Sequence, residues 1–329
     1  MIIFLKKDIK IYKIIMISVN VFFSLIMPYV NIPKFINKKV NKLSFEHNFI
    51  IIINNKKKIY TTGLLCWYNY YMRCVNQYIS DGYIPIIDLA SFPNPLNNFQ
   101  TSFKINPWEE FFNQPFNFKL TDVLDNAKKI KYDICPNNGY KKGEPFYSIL
   151  SNDIIRLYYH NIANQYIPIK KEILKEANKK YRLLFKNSNN ILGILMRGTD
   201  YIGRKKHAIP PTPEMVFKDI SKMKNKYDWI FITTEDDIIR EKFINKYGKK
   251  LKYIKYKTNI NYDYNKKPFL GFNKNIKGNF SFMRIYLINI IILSKCLDII
   301  ASRTSGTIIA FILSKGFRNK IIYDLGFYK

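Results

Sequence analysis

Cysteine and histidine are scarce in this chain. Four cysteines (Cys66, Cys74, Cys135, Cys296) and three histidines (His47, His160, His207) serve 329 residues. No two cysteines stand in CxxC spacing and no histidines form HExxH, so neither a zinc site nor a dithiol redox motif is supported. Reduced, buried thiols are the expectation. Glycine-rich phosphate loops are missing too: neither GxxxxGK(S/T) nor GxGxxG occurs, which argues against P-loop hydrolysis and NAD chemistry. No DxD pair occurs, so a metal-bridged diphosphate is not required. Acidic residues are few. Against 54 Lys and Arg stand 24 Asp and Glu, a formal charge of +30. Such a balance attracts nucleic acid, anionic lipid or phosphorylated substrates. The lysines are scattered along the chain, however, within a background of Ile, Asn, Lys and Tyr that AT-rich coding favours, and no nucleic-acid-binding pattern accompanies them. What is abundant is apolar: 47% hydrophobic residues exclude a disordered chain.

The N-terminus raises a membrane question. Ile14 to Val30 reads IIMISVNVFFSLIMPYV. As a helix it would rise about 25 Å, short of a hydrocarbon core of roughly 30 Å. Lys6, Lys10, Lys13, Asn20 and Ser24 fall on one stripe at helical spacing, opposite a broad apolar face. The expectation is a helix lying in the interface of an anionic membrane, with a single membrane anchor and then a helix packed on the protein's own core as the alternatives. No small-residue cleavage site follows, so a signal peptide is disfavoured.

The body follows α/β grammar. Strands are expected at Phe49–Ile53 and Tyr83–Ala90, joined through the TTGLLCWYN loop and a helix over Tyr68–Ser80, which is a βαβ unit and hence a parallel sheet. Trp108–Phe112 starts a short helix. A long helical stretch, Ser151–Lys186, is broken near Pro168 and connects to a second half. There, strands are expected at Ile191–Met196, Trp229–Thr233, Leu251–Tyr256, Leu297–Ala301 and Lys320–Tyr323, alternating with helices at Pro213–Lys224, Ile238–Tyr247, Ser281–Ser294 and Ser305–Ser314. Thr212, Pro213 and Glu214 form an N-terminal helix signature. This is a doubly wound pattern.

Three strand tips in the second half carry polar clusters. The first holds Arg197, Thr199 and Asp200; the second, TTEDD, holds Glu235 and Asp236; the third, SRTSGT, spans Ser302 to Thr307. The third puts hydroxyls and backbone N–H groups at a helix start, an anion site. Arg197 at a neighbouring tip offers a two-pronged contact to phosphate. The acids of the second cluster suit a ribose or base rather than a phosphate. Taken singly, Arg197 pairing with Asp200, and helix caps at the other two tips, account for these residues. Their convergence on one sheet points to a nucleoside diphosphate.

These segments carry a resemblance. GILMRGTDY (Gly193–Tyr201) resembles the (H/V)-x-R-R-(T/G)-D motif of the fucosyltransferase superfamily, which includes α1,6-, α1,2- and protein O-fucosyltransferases. FITTEDD is similar to that superfamily's strand ending Ala-Thr-Asp-Asp, and FMRIYLINIIILSKCLDIIASRTSG resembles its arginine-bearing helix, strand and serine turn, in the same order. Upstream, GYIPIIDLASFPNP and INPWEEFFNQP resemble segments of bacterial members. The departures are Gly198 for a second arginine, Asn289 for a helix aspartate, and Thr304–Ser305 for a serine pair. The resemblance implies a GT-B fold, with two Rossmann-like domains facing a cleft, here preceded by the N-terminal apolar helix. The implied segments are 1–44 membrane-associated, 45–150 the acceptor domain, 151–186 a helical connection and 187–329 the donor domain. It also implies an inverting, metal-independent glycosyltransferase that needs no cofactor and takes GDP-fucose or a related nucleotide sugar. By residue, Arg197 would hold the β-phosphate, with Thr199 beside it. Glu235 or Asp236 would read the base, and Arg284, Ser302, Arg303, Thr304 and Ser305 would complete donor binding. Asp200 and His207 are both candidates for the general base. The expected partners are the donor, a glycan or glycolipid acceptor and an anionic membrane surface, without nucleic acid, on the cytoplasmic side of the membrane. The alternative is a non-catalytic nucleotide- or glycan-binding protein that retains the fold.

Overall fold

The computed structural model describes residues 44–53, 63–97, 105–134, 144–198, 202–203, 207–224, 226–255 and 279–329. The N-terminal apolar segment, Thr199, Asp200 and the long 256–278 tract lie outside them. Two parallel sheets organise the chain. The first has the order β2-β1-β3, with β1 at Asn48–Ile53, β2 at Ile84–Ile87 and β3 at Lys129–Ile134. Helix α1 (Leu64–Ser80) links β1 to β2, and α2 (Leu120–Asn126) precedes β3. The apolar runs NFIIII and IPII are buried because both faces of a parallel sheet are covered. β3, with sequence KIKYDI, lies at the sheet's edge and is largely exposed, so its pattern is polar. The residues expected to extend β2 into Ala90 instead leave the sheet: Asn106 and Gln114 bond the backbone of Ile87 and Leu89.

Helices α3 (Glu144–Ser151), α4 (Asp153–Tyr166) and α5 (Lys171–Phe185) lead to the second sheet. The break between α4 and α5 falls at Pro168, which cannot continue a helix. The second sheet has the order β6-β5-β4-β7-β8. Its strands are β4 (Ile191–Leu195), β5 (Trp229–Thr233), β6 (Leu251–Lys252), β7 (Asp298–Ser302) and β8 (Lys320–Tyr323), all parallel. The intervening helices are α6 (Pro213–Lys222), α7 (Asp237–Tyr247), α8 (Asn279–Leu293) and α9 (Ser305–Leu313). The first strand, β4, therefore stands in the middle. The chain winds one way through β5 and β6 and the other way through β7 and β8, with its switch point between β4 and β7. β6 keeps only two residues of the expected strand.

One apolar cluster joins the sheets. It runs from Tyr68, Trp108 and Phe112 through Leu287 and Ile291 of α8 and Ile309 of α9 to Ile191 and Phe231. Tyr68 and Phe112 stack at 4.3 Å, and Trp108 meets Phe112 at 4.6 Å. Helix α8 is apolar on nearly every side, as a helix buried between layers must be. Among the described residues no helix is long and apolar enough to cross a membrane. The thiols depart from expectation. Cys66 and Cys296 are free, but Cys74 is disulfide-bonded, and such bonds persist in oxidising compartments.

Candidate functional site

The site is built at the carboxyl ends of β4, β5 and β7. Leu195 is level with Thr233 on one side and Ala301 on the other. Two residues further, Arg197 and Glu235 emerge together. Glu235 Oε1 accepts the Gly198 N–H at 3.0 Å and lies 3.0 Å from Arg197 Nε. The Nε–H axis is not aligned on that oxygen, so the second contact is an ion pair rather than a hydrogen bond. The pair is largely shielded from solvent, the arginine side chain 16% and the glutamate side chain 6% exposed. The alternative pairing of Arg197 with Asp200 lies outside the described residues; Glu235 is an ionic partner of Arg197 within them. A carboxylate so engaged orients the guanidinium and is not a free reader of a base.

Asp236 is committed as well. Its Oδ1 accepts from Ile238 N at 2.9 Å and Ile239 N at 3.1 Å, capping α7. Its other oxygen packs against Gly198: a Cβ built there would stand 2.3 Å from Oδ2 and 2.6 Å from the Asp236 Cβ. The absence of a second arginine now has a physical reason. Position 198 has no room for a side chain while Asp236 caps α7.

Across the switch point, Thr304 caps α9, accepting from Thr307 N at 3.1 Å, and the Thr307 hydroxyl donates to Ser302 O. The N–H groups of Ser305 and Gly306 precede the helix's own ladder and point out of its start. Tyr286, on α8, ties the two tips together. Its ring lies 5.8 Å below the Arg197 guanidinium, and its hydroxyl would be 2.4 Å from a Cβ at Gly306. Arginine, phenol and helix start thus converge where β4 and β7 part. An anion there would meet a cation, a hydroxyl and two backbone donors.

Other expected site residues are placed differently. Arg284 precedes Tyr286 by two positions, about 200° around the helix, and its Nε donates to Glu176 of α5 at 2.8 Å. Arg303 pairs with Asp324 at 2.8 Å and lies 5.0 Å over the Tyr147 ring. Burial raises the Tyr147 phenol's pKa, with Arg303 opposing. Ser302 is 1% exposed, and its Oγ meets no hydrogen-bond partner among the described residues. His207 joins the C-terminal segment: its carbonyl accepts from Tyr328 N at 3.0 Å.

Beside Arg197 opens a cleft of about 390 Å³. Arg197, Asp236, Pro211, Thr212, Ile239 and Tyr328 are among the residues that line it. Lys242 on α7 and Glu214 on α6 bridge its rim at 2.9 Å, and that contact holds the Glu214 carboxyl below its ordinary value. Sequence reasoning missed Tyr286 and Tyr328, and took in Gly306 only as part of the SRTSGT cluster. The PPTP run at Pro210–Pro213 was the visible signal of a rigid wall. Among the described residues no cluster of His, Cys, Asp and Glu is set to hold a metal ion.

No family model and no curated protein matches the chain. The solved structures to which it is similar include fucosyltransferases. Fucosyltransferase NodZ from Bradyrhizobium shares 13% identity over 85% of this chain and 96% of that one, with a TM-score of 0.47. FUT1 of Arabidopsis thaliana, a mutant in complex with GDP, shares 11% identity over 85% of this chain and 72% of that one, with a TM-score of 0.45. POFUT1 in complex with GDP-fucose shares 7% identity over 85% of this chain and 98% of that one, with a TM-score of 0.45.

Proposed function

We propose that the chain is a GDP-sugar glycosyltransferase of fucosyltransferase type. The observation that carries this reading is Arg197, held by Glu235 and Tyr286 at the β4–β7 switch point beside the start of α9. Residues 187–329 would bind the donor and residues 45–150 the acceptor, across a GT-B cleft, with 151–186 connecting them and 1–44 at the membrane. The nucleoside lies in the 390 Å³ cleft lined by Pro211 and Ile239. The diphosphate lies between Arg197 and the N–H groups of Ser305 and Gly306.

An acceptor hydroxyl on a surface polysaccharide or glycolipid precursor attacks the anomeric carbon from the face opposite the diphosphate. The C–O bond to the phosphate breaks and configuration inverts. Negative charge grows on the departing phosphate oxygen. A preoriented guanidinium and helix start stabilise it without reorganisation. The acceptor's proton passes to a base, for which Asp200 and His207 remain the candidates. With the leaving group neutralised by protein donors, the step needs no metal.

Calorimetry with GDP against UDP and ADP tests the donor assignment. Selective GDP binding supports it, and equal or absent binding refutes it. Turnover of GDP-fucose that survives excess EDTA supports the metal-free step, and loss restored by Mn²⁺ or Mg²⁺ refutes it. GDP binding without turnover on any glycan acceptor would instead mark a non-catalytic binding protein.

A further inference from the structure

The fold gathers lysines that the sequence scatters. In a parallel sheet each helix ends at the edge where the next strand begins. Helices α5 to α9 precede β4 to β8 in turn, and each connection passes that edge through an exposed cation: Lys186, Lys222, Lys250, Lys295 and Lys315. The order β6-β5-β4-β7-β8 spreads them across the whole sheet, about 19 Å at 4.8 Å per strand step. Of these cations Lys222 is paired, with Asp219 at 3.4 Å, and two further acids at this edge are occupied by other partners. Asp298 is fully buried and accepts from Arg318 and Asn319. Asp228 accepts from Ser188 at 2.7 Å and Asn190 at 3.3 Å. At the sheet's other end, by contrast, stand Glu214, Glu235, Asp236, Asp237 and Asp324.

A helix C-terminus draws a cation by itself, but this edge goes beyond that. Although Lys295 is exposed as a residue, its ammonium is held below its ordinary pKa, first by partial desolvation among its neighbours and then by repulsion from Arg182 and Lys315. Cations crowded to mutual repulsion favour a bound anion. Between Arg182 and Lys186, Leu183 projects 72% exposed. A broad row of cations with a projecting aliphatic side chain matches a planar anionic surface. A nucleic acid would instead call for stacking aromatics or an element shaped to a groove. The sequence also carries an apolar segment at 14–30 suited to a bilayer.

We propose that the edge formed by the amino ends of β4 to β8 docks on anionic lipid headgroups, with Leu183 entering the interface. The candidate site lies at the opposite ends of these strands, about 17 Å away for five residues, so it opens away from the bilayer.

The test is co-flotation of the full chain with phosphatidylcholine vesicles, with and without about one-third phosphatidylglycerol. Each cation near an anionic surface contributes roughly five-fold in affinity. The triple variant K250Q/K295Q/K315Q should therefore bind anionic vesicles roughly 100-fold more weakly than wild type. The control variant K119Q/K129Q/K131Q, altered around the first sheet, should stay within roughly five-fold of wild type. Melting temperature and GDP affinity, measured on each, should be unchanged, which separates this proposal from the reading of the nucleotide site. Equal loss in both variants, or no loss in the first, overturns it. So does a loss of single-stranded RNA binding in the edge variant with vesicle binding intact, which would make this a nucleic-acid face.

Discussion

Removing Arg197 perturbs two things at once, and separating them tests the site. Glu235 is 6% exposed. Without Arg197 the carboxylate still accepts the Gly198 N–H but loses the charge that pairs with it at 3.0 Å. Breaking a buried pair from one side costs about 3–5 kcal/mol. For a chain of 329 residues that corresponds to a fall in melting temperature of about 4–7 °C. R197A should thus melt early whatever its role in binding. The double variant R197A/E235A removes both charges, and most of the lost stability should return. Diphosphate binding should not return, because a charge-assisted hydrogen bond of about 1.5–3 kcal/mol is gone, a roughly 10- to 150-fold loss of GDP affinity. R197K should bind little better than R197A, since an ammonium lacks the planar fork. Differential scanning fluorimetry and calorimetry on the four proteins read both quantities. A double variant that is as stable as wild type and binds GDP equally well would refute the assignment of Arg197 to the diphosphate.

Gly306→Ala should displace the Tyr286 hydroxyl, which would lie 2.4 Å from the new Cβ. Overpacking of this kind costs about 1–3 kcal/mol, and GDP affinity should fall with it; a fully wild-type protein would show that Tyr286 does not link the tips. Asp298 is held below its ordinary carboxyl range: burial raises its pKa, but hydrogen bonds from Arg318, Tyr227 and Asn319 outweigh burial. Its contribution is therefore full above the unfolded value of about 3.9 and declines as pH falls toward the depressed folded value. Acid unfolding of D298N should lack that share of the decline, with parallel curves for the two proteins as the contrary result. Maleimide should label Cys74 in the unfolded chain only after reduction; labelling without reductant in protein from its native compartment would place the chain in a reducing one, as a cytoplasmic setting requires.

The second sheet was legible because its strands are short apolar runs ended by punctuation. GILM stops at Arg197 and FITT at Glu235, and Trp229–Thr233 and Lys320–Tyr323 fall where the residues place them. β3 escaped notice because an exposed edge strand carries little apolar signal. Residue type located the three tips, but orientation was not readable. The arginine of α8 was visible while its rotation toward Glu176 was not, and the phenol two residues on occupies the place beside Arg197. Glu235 and Asp236 of TTEDD were visible as polar residues at a tip. That one carboxylate holds an arginine and the other caps a helix depends on burial, which sequence does not display.

The contact between Gly198 and Asp236 also constrains how this chain can change. A side chain at 198 requires Asp236 to move first, and moving Asp236 uncaps α7, at a cost of about 0.5–2 kcal/mol. An arginine could therefore enter position 198 only after position 236 had shrunk, and the intermediate would carry the uncapped helix without the new cation. Gly198 is kept by Asp236, and Asp236 by the helix it caps, so a single substitution at either leads downhill.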